Sequence, residues 1–447
     1  MQGGRLVGKD ASNGKRTRSV MLVFTLVACA IALIAGYNVK DLCTRHPWDG
    51  YQYRTLCYND VFALYTFRGL DVRPFPYIHG DGIFDNERRA DGSQVEQGDL
   101  EYPALTGVLI GVVAEVTHDG ITFFRATSVV LAVFALLSLA LLWRITRVQW
   151  RLFLFALAPS LVLYAFHNWD LLAVFLMCAG LVAFQRRADG LTGLALGLGA
   201  AAKVFPGLIV PALALARRRE TGKIPGRMIV ASVVSFAAVN VPFAIINRTG
   251  WWAPWKFQSS RFPNFETSWY NIFCHLAPRC ELRLGTFWTA TYPGLTSYAS
   301  AALFLVGIAW LLRAESKRAI FRPYATSFGI LLIWLLAAKV YSPQYALWLL
   351  PFFVLVEIPW GGFAAFAVTD AAVWIAVSAY FISYPPVGRG NIAQMGHILE
   401  ATVYARYAVL LVLLWLSRRA QDNVFEPGRP APTPPASRHA APVEFSA

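Results

Sequence analysis

The stretch Gly197-Leu-Gly-Ala-Ala-Ala-Lys-Val-Phe-Pro-Gly-Leu-Ile-Val-Pro211 decides how the chain is threaded. It belongs to an apolar run over residues 191–216 whose middle carries Lys203 and Pro206. A lysine at depth in hydrocarbon costs roughly 3 kcal/mol on insertion scales. Basic clusters flank the run at both ends, Gln185-Arg-Arg187 and Arg217-Arg-Arg219. Short Lys/Arg-rich loops mark the cytoplasmic side of a membrane. Both ends therefore belong on one side, and the run cannot be a single crossing. It reads as a hairpin of two half-length helices turning at Lys203-Val-Phe-Pro206. Irregular backbone at that depth is tolerated only where protein or a wet cavity surrounds it, so Lys203 points to a polar cavity.

The rest of the chain agrees with a membrane setting. Of its 447 residues, 56% are hydrophobic and only 15% charged. Several apolar runs reach the roughly 20 residues that a helix needs to cross a bilayer. The composition implies an all-α polytopic membrane protein. A formal charge of +14 would suit nucleic acid, but the basic residues lie in short segments between apolar runs, as at Lys15-Arg-Thr-Arg18, 144–151, 313–322 and Ser417-Arg-Arg419. That distribution is topological, and a nucleic-acid partner is not implied. Residues 21–36 resemble a signal peptide in composition, but their basic flank and the later spans favour an uncleaved first helix.

With basic loops inside, residues 1–18 form a cytoplasmic basic N-terminus and 19–416 the membrane domain. Helices are expected at about 19–36, 121–142, 152–166 and 169–184, then the hairpin, then 227–246, 293–312, 324–340, 345–358, 363–383 and 396–416. That makes a bundle of about 12 membrane-embedded helices with both termini cytoplasmic. Residues 37–120 form a large first exoplasmic loop; its part over 37–102 holds 11 of the chain's 26 acidic residues. Within it, 103–117 is apolar but short, and reads as a helix lying at the interface. Residues 247–290 form a second, Trp-rich exoplasmic loop. Residues 417–447 form a disordered cytoplasmic tail, with six prolines over 420–447. Cys43 and Cys57 share the first loop, Cys274 and Cys280 the second; each pair is either a disulfide or two free thiols.

The segments Tyr58-Asn-Asp60 with Phe67-Arg-Gly-Leu70, Leu100-Glu-Tyr-Pro103, Asn168-Trp-Asp-Leu-Leu172, Gly197 to Pro206 and Ser342-Pro-Gln-Tyr-Ala-Leu-Trp348 occur in a telling order. Through them the chain resembles the polyprenol-phosphate-mannose-dependent mannosyltransferases of glycosyltransferase family 87, in the GT-C superfamily. The resemblance implies a GT-C-like fold and an inverting transfer of a sugar, mannose or a related pentose, from a polyprenyl-phosphate donor. The acceptor would be an exoplasmic lipid or glycan of the cell envelope, and the setting a plasma membrane. The same resemblance implies that Asp60, a carboxylate of the first exoplasmic loop, is the catalytic base.

The chemistry suits Asp60, because an acceptor hydroxyl must lose a proton as it attacks the anomeric carbon. Phosphate is already a good leaving group, so the second carboxylic acid of glycoside hydrolysis is not needed. Asp60 reads equally as a helix cap for 61–67. Arg261 is suited to bidentate phosphate contact or to anchoring at the interface. Lys203 suits an anionic lipid phosphate or an internal acid. Glu101 and Tyr102 precede the short helix, where an acid is also favoured at a helix N-terminus. His167 and Asp170, at the turn before 171–184, read as substrate contacts or as structural groups, Asp170 as an N-cap. Gln344 and Lys339 flank Ser342-Pro343 at an exoplasmic helix break, a place that commonly presents polar groups to ligand, and Lys339 can instead snorkel. Arg68 and Arg73 read as a solvated face. No metal cluster or cofactor motif is present in the sequence. A transporter or flippase would show short loops and paired repeats, which the long loop 37–120 does not fit.

Overall fold

The computed structural model describes residues 3–82, 99–276, 291–384, 387, 388 and 390–425. The principal helices are α1 (Gly3–Asp41), α2 (Asp60–Phe67), α3 (Ala104–Glu115), α4 (Gly120–Ile145), α5 (Asp170–Gln185), α6 (Asp189–Ala202) and α7 (Val210–Thr221). They continue as α8 (Gly226–Ile246), α9 (Arg248–Ser260), α10 (Thr291–Ser316), α11 (Pro323–Ala337), α12 (Trp360–Ser383) and α13 (Ile392–Ser417). Among the described residues, α1, α4, α8, α10, α12 and α13 are long and apolar enough to cross a membrane. The chain is an all-α polytopic membrane protein. Most of α8 and α10 is exposed, which for apolar helices of this length is a lipid-facing surface.

The hairpin expected at Lys203 is present. Helix α6 ends at Ala202, and Lys203 is extended (φ −159°, ψ 138°) before a short turn over Phe205–Leu208 leads into α7. Pro206 cannot donate to a continuing helix, which fixes the break. Arg217 Nε donates to Asp189 Oδ1 at 2.8 Å, so the two feet of the hairpin meet. Its tip stands level with the start of α5, where Asp170 binds Lys203. Two glycines bring α6 onto α8. A Cβ on Gly193 would lie 2.1 Å from Met228 O, and one on Gly197 2.1 Å from Ser235 Oγ. This is small-residue packing at the four-residue spacing common between membrane helices.

Several expected boundaries move for identifiable reasons. The span over 152–166 is broken into a tight turn Gln149–Leu152 and helices Phe153–Ala156 and Pro159–Tyr164, the last beginning at the proline. The segment 345–358 is a tight turn Pro343–Trp348 followed by Leu350–Leu355. The helix expected over 324–340 ends at Ala337, which frees Lys339 from helical geometry. Helix α1 runs back to Gly3, into the segment expected as a basic leader. Helix α3 spans only 12 residues, too few to cross, and Thr106 Oγ1 donates to Ala202 O at the hairpin tip (2.7 Å).

The basic segments expected on the cytoplasmic side gather at one end of the bundle. There Arg151 donates to the carbonyls of Phe353, Val356 and Ile358, and Arg322 pairs with Glu315 at 2.8 Å. The tail expected to be disordered from 417 is instead tied down as far as Phe425. Asn423 N donates to Leu355 O (2.7 Å) and Phe425 N to Ile145 O (3.1 Å). Asp422 accepts from the backbone of Tyr324 and Ala325 (3.2 and 2.8 Å) and so satisfies the N-terminus of α11. Residues 426–447 lie outside the described residues. At the opposite end, Cys43 and Cys57 form a disulfide. The Cys274 and Cys280 pairing lies outside the described side chains.

Candidate active site

Asp60 is positioned by its own helix start. Asn59 Oδ1 accepts from Phe62 N at 2.8 Å, so Asn59 is the cap of α2 and Asp60, one residue on, is released from that task. Its backbone N–H donates to His167 O at 2.8 Å, which ties it to the turn before α5. Its carboxylate collects three donors: Tyr58 Oη on Oδ1 (3.0 Å), and Tyr102 Oη and Asn168 Nδ2 on Oδ2 (3.2 and 2.9 Å). Asn168 Nδ2 also donates to Tyr102 Oη at 2.5 Å.

Asp60 opens on a cavity of about 740 Å³ that also touches Tyr102, His167, Lys203, Arg261 and Gln344. Most residues expected at the site thus share one space, drawn from segments up to 284 positions apart in sequence. Glu101 lines the same cavity, but its Oε2 is occupied by Arg68 Nε at 2.9 Å. Arg68 is buried and is not the solvated side chain expected.

Asp170 is the exception. Its carboxylate is fully buried and does not line the cavity. Lys203 Nζ donates to Oδ2 at 2.6 Å and Trp348 Nε1 to Oδ1 at 2.5 Å. It makes no capping bond to α5, whose N-cap is Trp169. Asp170 therefore meets Lys203 and Trp348 behind the cavity wall. Lys203 keeps 15% of its side chain exposed and sits against the rings of Tyr345 and Tyr102, at 5.2 and 5.7 Å. A lysine ammonium carries three donors, so the ion pair leaves capacity for an anion in the cavity.

The electrostatics follow from burial. Enclosure in protein pushes the Asp60 carboxyl above its ordinary value, against the lowering pull of Tyr58, Tyr102, Asn168 and the Lys203 charge. A base with a raised pKa is a stronger proton acceptor near neutrality. His167 is held well below its usual value, first by burial and then by the Lys40 charge. Its Nδ1 lies 3.1 Å from Tyr58 O; a carbonyl only accepts, so the neutral ring carries its proton on Nδ1 and leaves Nε2 as an acceptor.

Lys40 and Glu266 were not singled out by the sequence. Lys40 is fully buried and donates to Leu56 O and Tyr58 O at 2.9 and 2.8 Å, bracing the strand of chain that carries Asp60. Tyr58, Asn168 and Trp348 were legible only as members of motifs. Lys339 does not snorkel; it donates to Ser259 O, Arg261 O and Ser297 Oγ, and burial lowers it to about 8. Glu266 lines the cavity as a third acid beside Asp60 and Glu101, pushed up to about 7 by burial. Among the described residues no group of three His, Cys, Asp or Glu side chains could hold a metal ion.

With this geometry in view, the sequence matches the model of glycosyltransferase family 87 over residues 101–338. No curated protein sequence matches the chain significantly. Among solved structures, ArnT from Cupriavidus metallidurans bound to undecaprenyl phosphate aligns at 15% identity and a TM-score of 0.42, covering 88% of this chain and 77% of that one. The Archaeoglobus fulgidus oligosaccharyltransferase in its apo form aligns at 11% identity and a TM-score of 0.36, covering 90% of this chain and 57% of that one. The family match spans more than half of the chain, from Glu101 through the hairpin and the Arg261 loop to the end of α11. The chain is a membrane glycosyltransferase and belongs to glycosyltransferase family 87.

Proposed function

We propose that this enzyme transfers mannose, with inversion, from a polyprenyl-phosphate-linked donor to a lipid or glycan acceptor of the cell envelope, on the exoplasmic side of the plasma membrane. The observation that carries this reading is Asp60. It is an enclosed carboxylate with three donors, on the wall of a cavity that the cations Lys203 and Arg261 also line.

In one step, an acceptor hydroxyl oxygen attacks the anomeric carbon and gives its proton to Asp60. The bond between that carbon and the phosphate oxygen breaks, and its electron pair leaves with the lipid phosphate. Lys203 and Arg261 stabilise the charge that accumulates there. Tyr58, Tyr102 and Asn168 hold the carboxylate in place, and His167 fixes the backbone before it. A single displacement inverts the anomeric centre, and no second acid is required because phosphate leaves unprotonated. The basic end of the bundle, with both described chain ends, would face the cytoplasm.

The test is transfer by purified protein in lipid nanodiscs, supplied with labelled polyprenyl-phosphate-mannose or polyprenyl-phosphate-arabinose and a polar-lipid acceptor fraction. The expected result is mannose transfer with an inverted anomeric configuration by NMR. Transfer of arabinose alone would overturn the sugar, and retained configuration would overturn the mechanism.

A further inference from the structure

The proposed reaction needs groups that tell one sugar from another, and most of the polar side chains around the cavity are already committed. Lys203 is paired with Asp170, Glu101 with Arg68, Lys339 holds three oxygens, and Asp60 is surrounded by three donors. Besides Lys203, whose spare donors suit an anion, two cavity residues keep open capacity as acceptors. Gln344 is 3% exposed, and its Oε1 has no hydrogen-bond partner among the described residues. A buried carbonyl left without a donor costs free energy comparable to a lost hydrogen bond, so it calls for a donor from the cavity. Glu266 is 7% exposed and takes a side-chain bond from Asn264 Nδ2 on Oε2 (2.5 Å). A carboxylate has about four lone-pair sites, so this bond leaves room for further donors.

These two residues are held on one wall. Asn264 N donates to Lys339 O (3.1 Å), Tyr341 N donates to Asn264 Oδ1 (3.0 Å), and Asn264 Nδ2 reaches Tyr341 O (3.3 Å). The loop bearing Glu266 is thereby fastened to the segment that leads to Gln344. From behind, the fully buried Arg406 donates to Glu266 O at 2.7 Å and lies over the Tyr341 ring at 3.7 Å, so loop and segment share one rigid backing. Both open groups are acceptors, and the ligand that satisfies paired acceptors is one rich in hydroxyl donors. A phosphate ester's oxygens are chiefly acceptors, and a hydrocarbon chain would leave both unsatisfied.

We propose that Glu266 and Gln344 form the sugar-reading wall of the cavity, accepting hydrogen bonds from hydroxyls of the donor's sugar ring, with Glu266 the specificity-determining residue. This rests on the reading that the cavity binds a polyprenyl-phosphate sugar. A site built to bond a substrate hydroxyl rejects the analogue that lacks it, because its own buried acceptor is then left unpaired.

The test compares wild type, Glu266→Gln and Gln344→Leu on polyprenyl-phosphate-mannose and on its 2-, 3-, 4- and 6-deoxymannosyl analogues, reading kcat/KM. Binding of sugar-free polyprenyl phosphate is measured alongside, and all three proteins should bind it equally, which shows that the site is folded. Wild type should lose about 30-fold or more on one deoxy donor, the size of a hydrogen bond to a charged group. Glu266→Gln should lose a comparable factor on the native donor and little more on that same deoxy donor. Glu266 variants that lose the same factor on every donor, or that lose nothing, overturn the inference while leaving the transferase reading intact. A wild type that transfers sugar from none of these donors overturns the reading beneath it.

Discussion

Lys203 Nζ lies 2.6 Å from Asp170 Oδ2, joining the tip of the hairpin to the first residue of the helix that follows the His167 turn. The pair explains how a cation persists among apolar helices, and it also aims that cation. Asp170 is wholly enclosed while Lys203 keeps 15% exposure toward the cavity. Breaking such a pair by removing one partner strands a buried charge, at a cost of roughly 3–5 kcal/mol. Lys203→Met should therefore lower the unfolding temperature clearly in detergent. The double variant Lys203→Met with Asp170→Asn, which retains an acceptor for Trp348, should recover most of the loss. Transfer activity should stay at least about 10-fold down in both, because the proposed anion ligand is gone. Single variants as stable as wild type would show that the pair is not formed.

The pH dependence of transfer should report Asp60. Burial raises its carboxyl, and the Tyr102 hydroxyl bond pulls it down. A base works only when deprotonated, so activity should fall as pH drops through the Asp60 pKa, at a pH above that of a free aspartate. Tyr102→Phe removes a group that favours the ionised form, so the acid limb should move to higher pH. A shift to lower pH would mean that another group titrates.

The Cys43–Cys57 disulfide closes a short loop directly before Tyr58, and Leu56 within it has φ +59°. That left-handed conformation is costly for a branched residue, roughly 1–2 kcal/mol, and Lys40 clamps the carbonyls of Leu56 and Tyr58. Replacing both cysteines by serine should cost about 2–4 kcal/mol of stability and lower kcat more than it raises KM. Measured transfer at wild-type kcat would show that the loop keeps its shape unaided.

Asp422 satisfies two backbone donors at the start of α11, a capping role at long range. Asp422→Ala should destabilise the protein by about 1–2 kcal/mol without altering KM for donor, read by thermal unfolding and initial rates.

Much of this arrangement was legible because charge and hydropathy act locally. The basic flanks of 191–216 foretold the hairpin, and the proline foretold where it turns. Asp60, Lys203, Arg261 and Gln344, each singled out from its own segment, line one cavity. What could not be read was pairing across the bundle. Nothing in the spacing of Asp170 and Lys203, or of Arg68 and Glu101, says that they meet; helix packing alone brings them together. Glu266 was hidden for the same reason, since its one sequence signal was being one of two acids, with Glu281, in an aromatic loop. The polar, proline-rich context of 420–447 concealed Asp422 and Asn423, whose partners are free backbone groups of distant helix ends.

The most direct measurement is the single-turnover rate of sugar transfer from polyprenyl-phosphate-mannose by wild type and by Asp60→Asn, with donor binding determined on both. A positioned general base contributes roughly 10²–10⁴-fold. The expected result is a loss in that range with donor binding unchanged; equal rates in the two proteins would rule out Asp60 as the base.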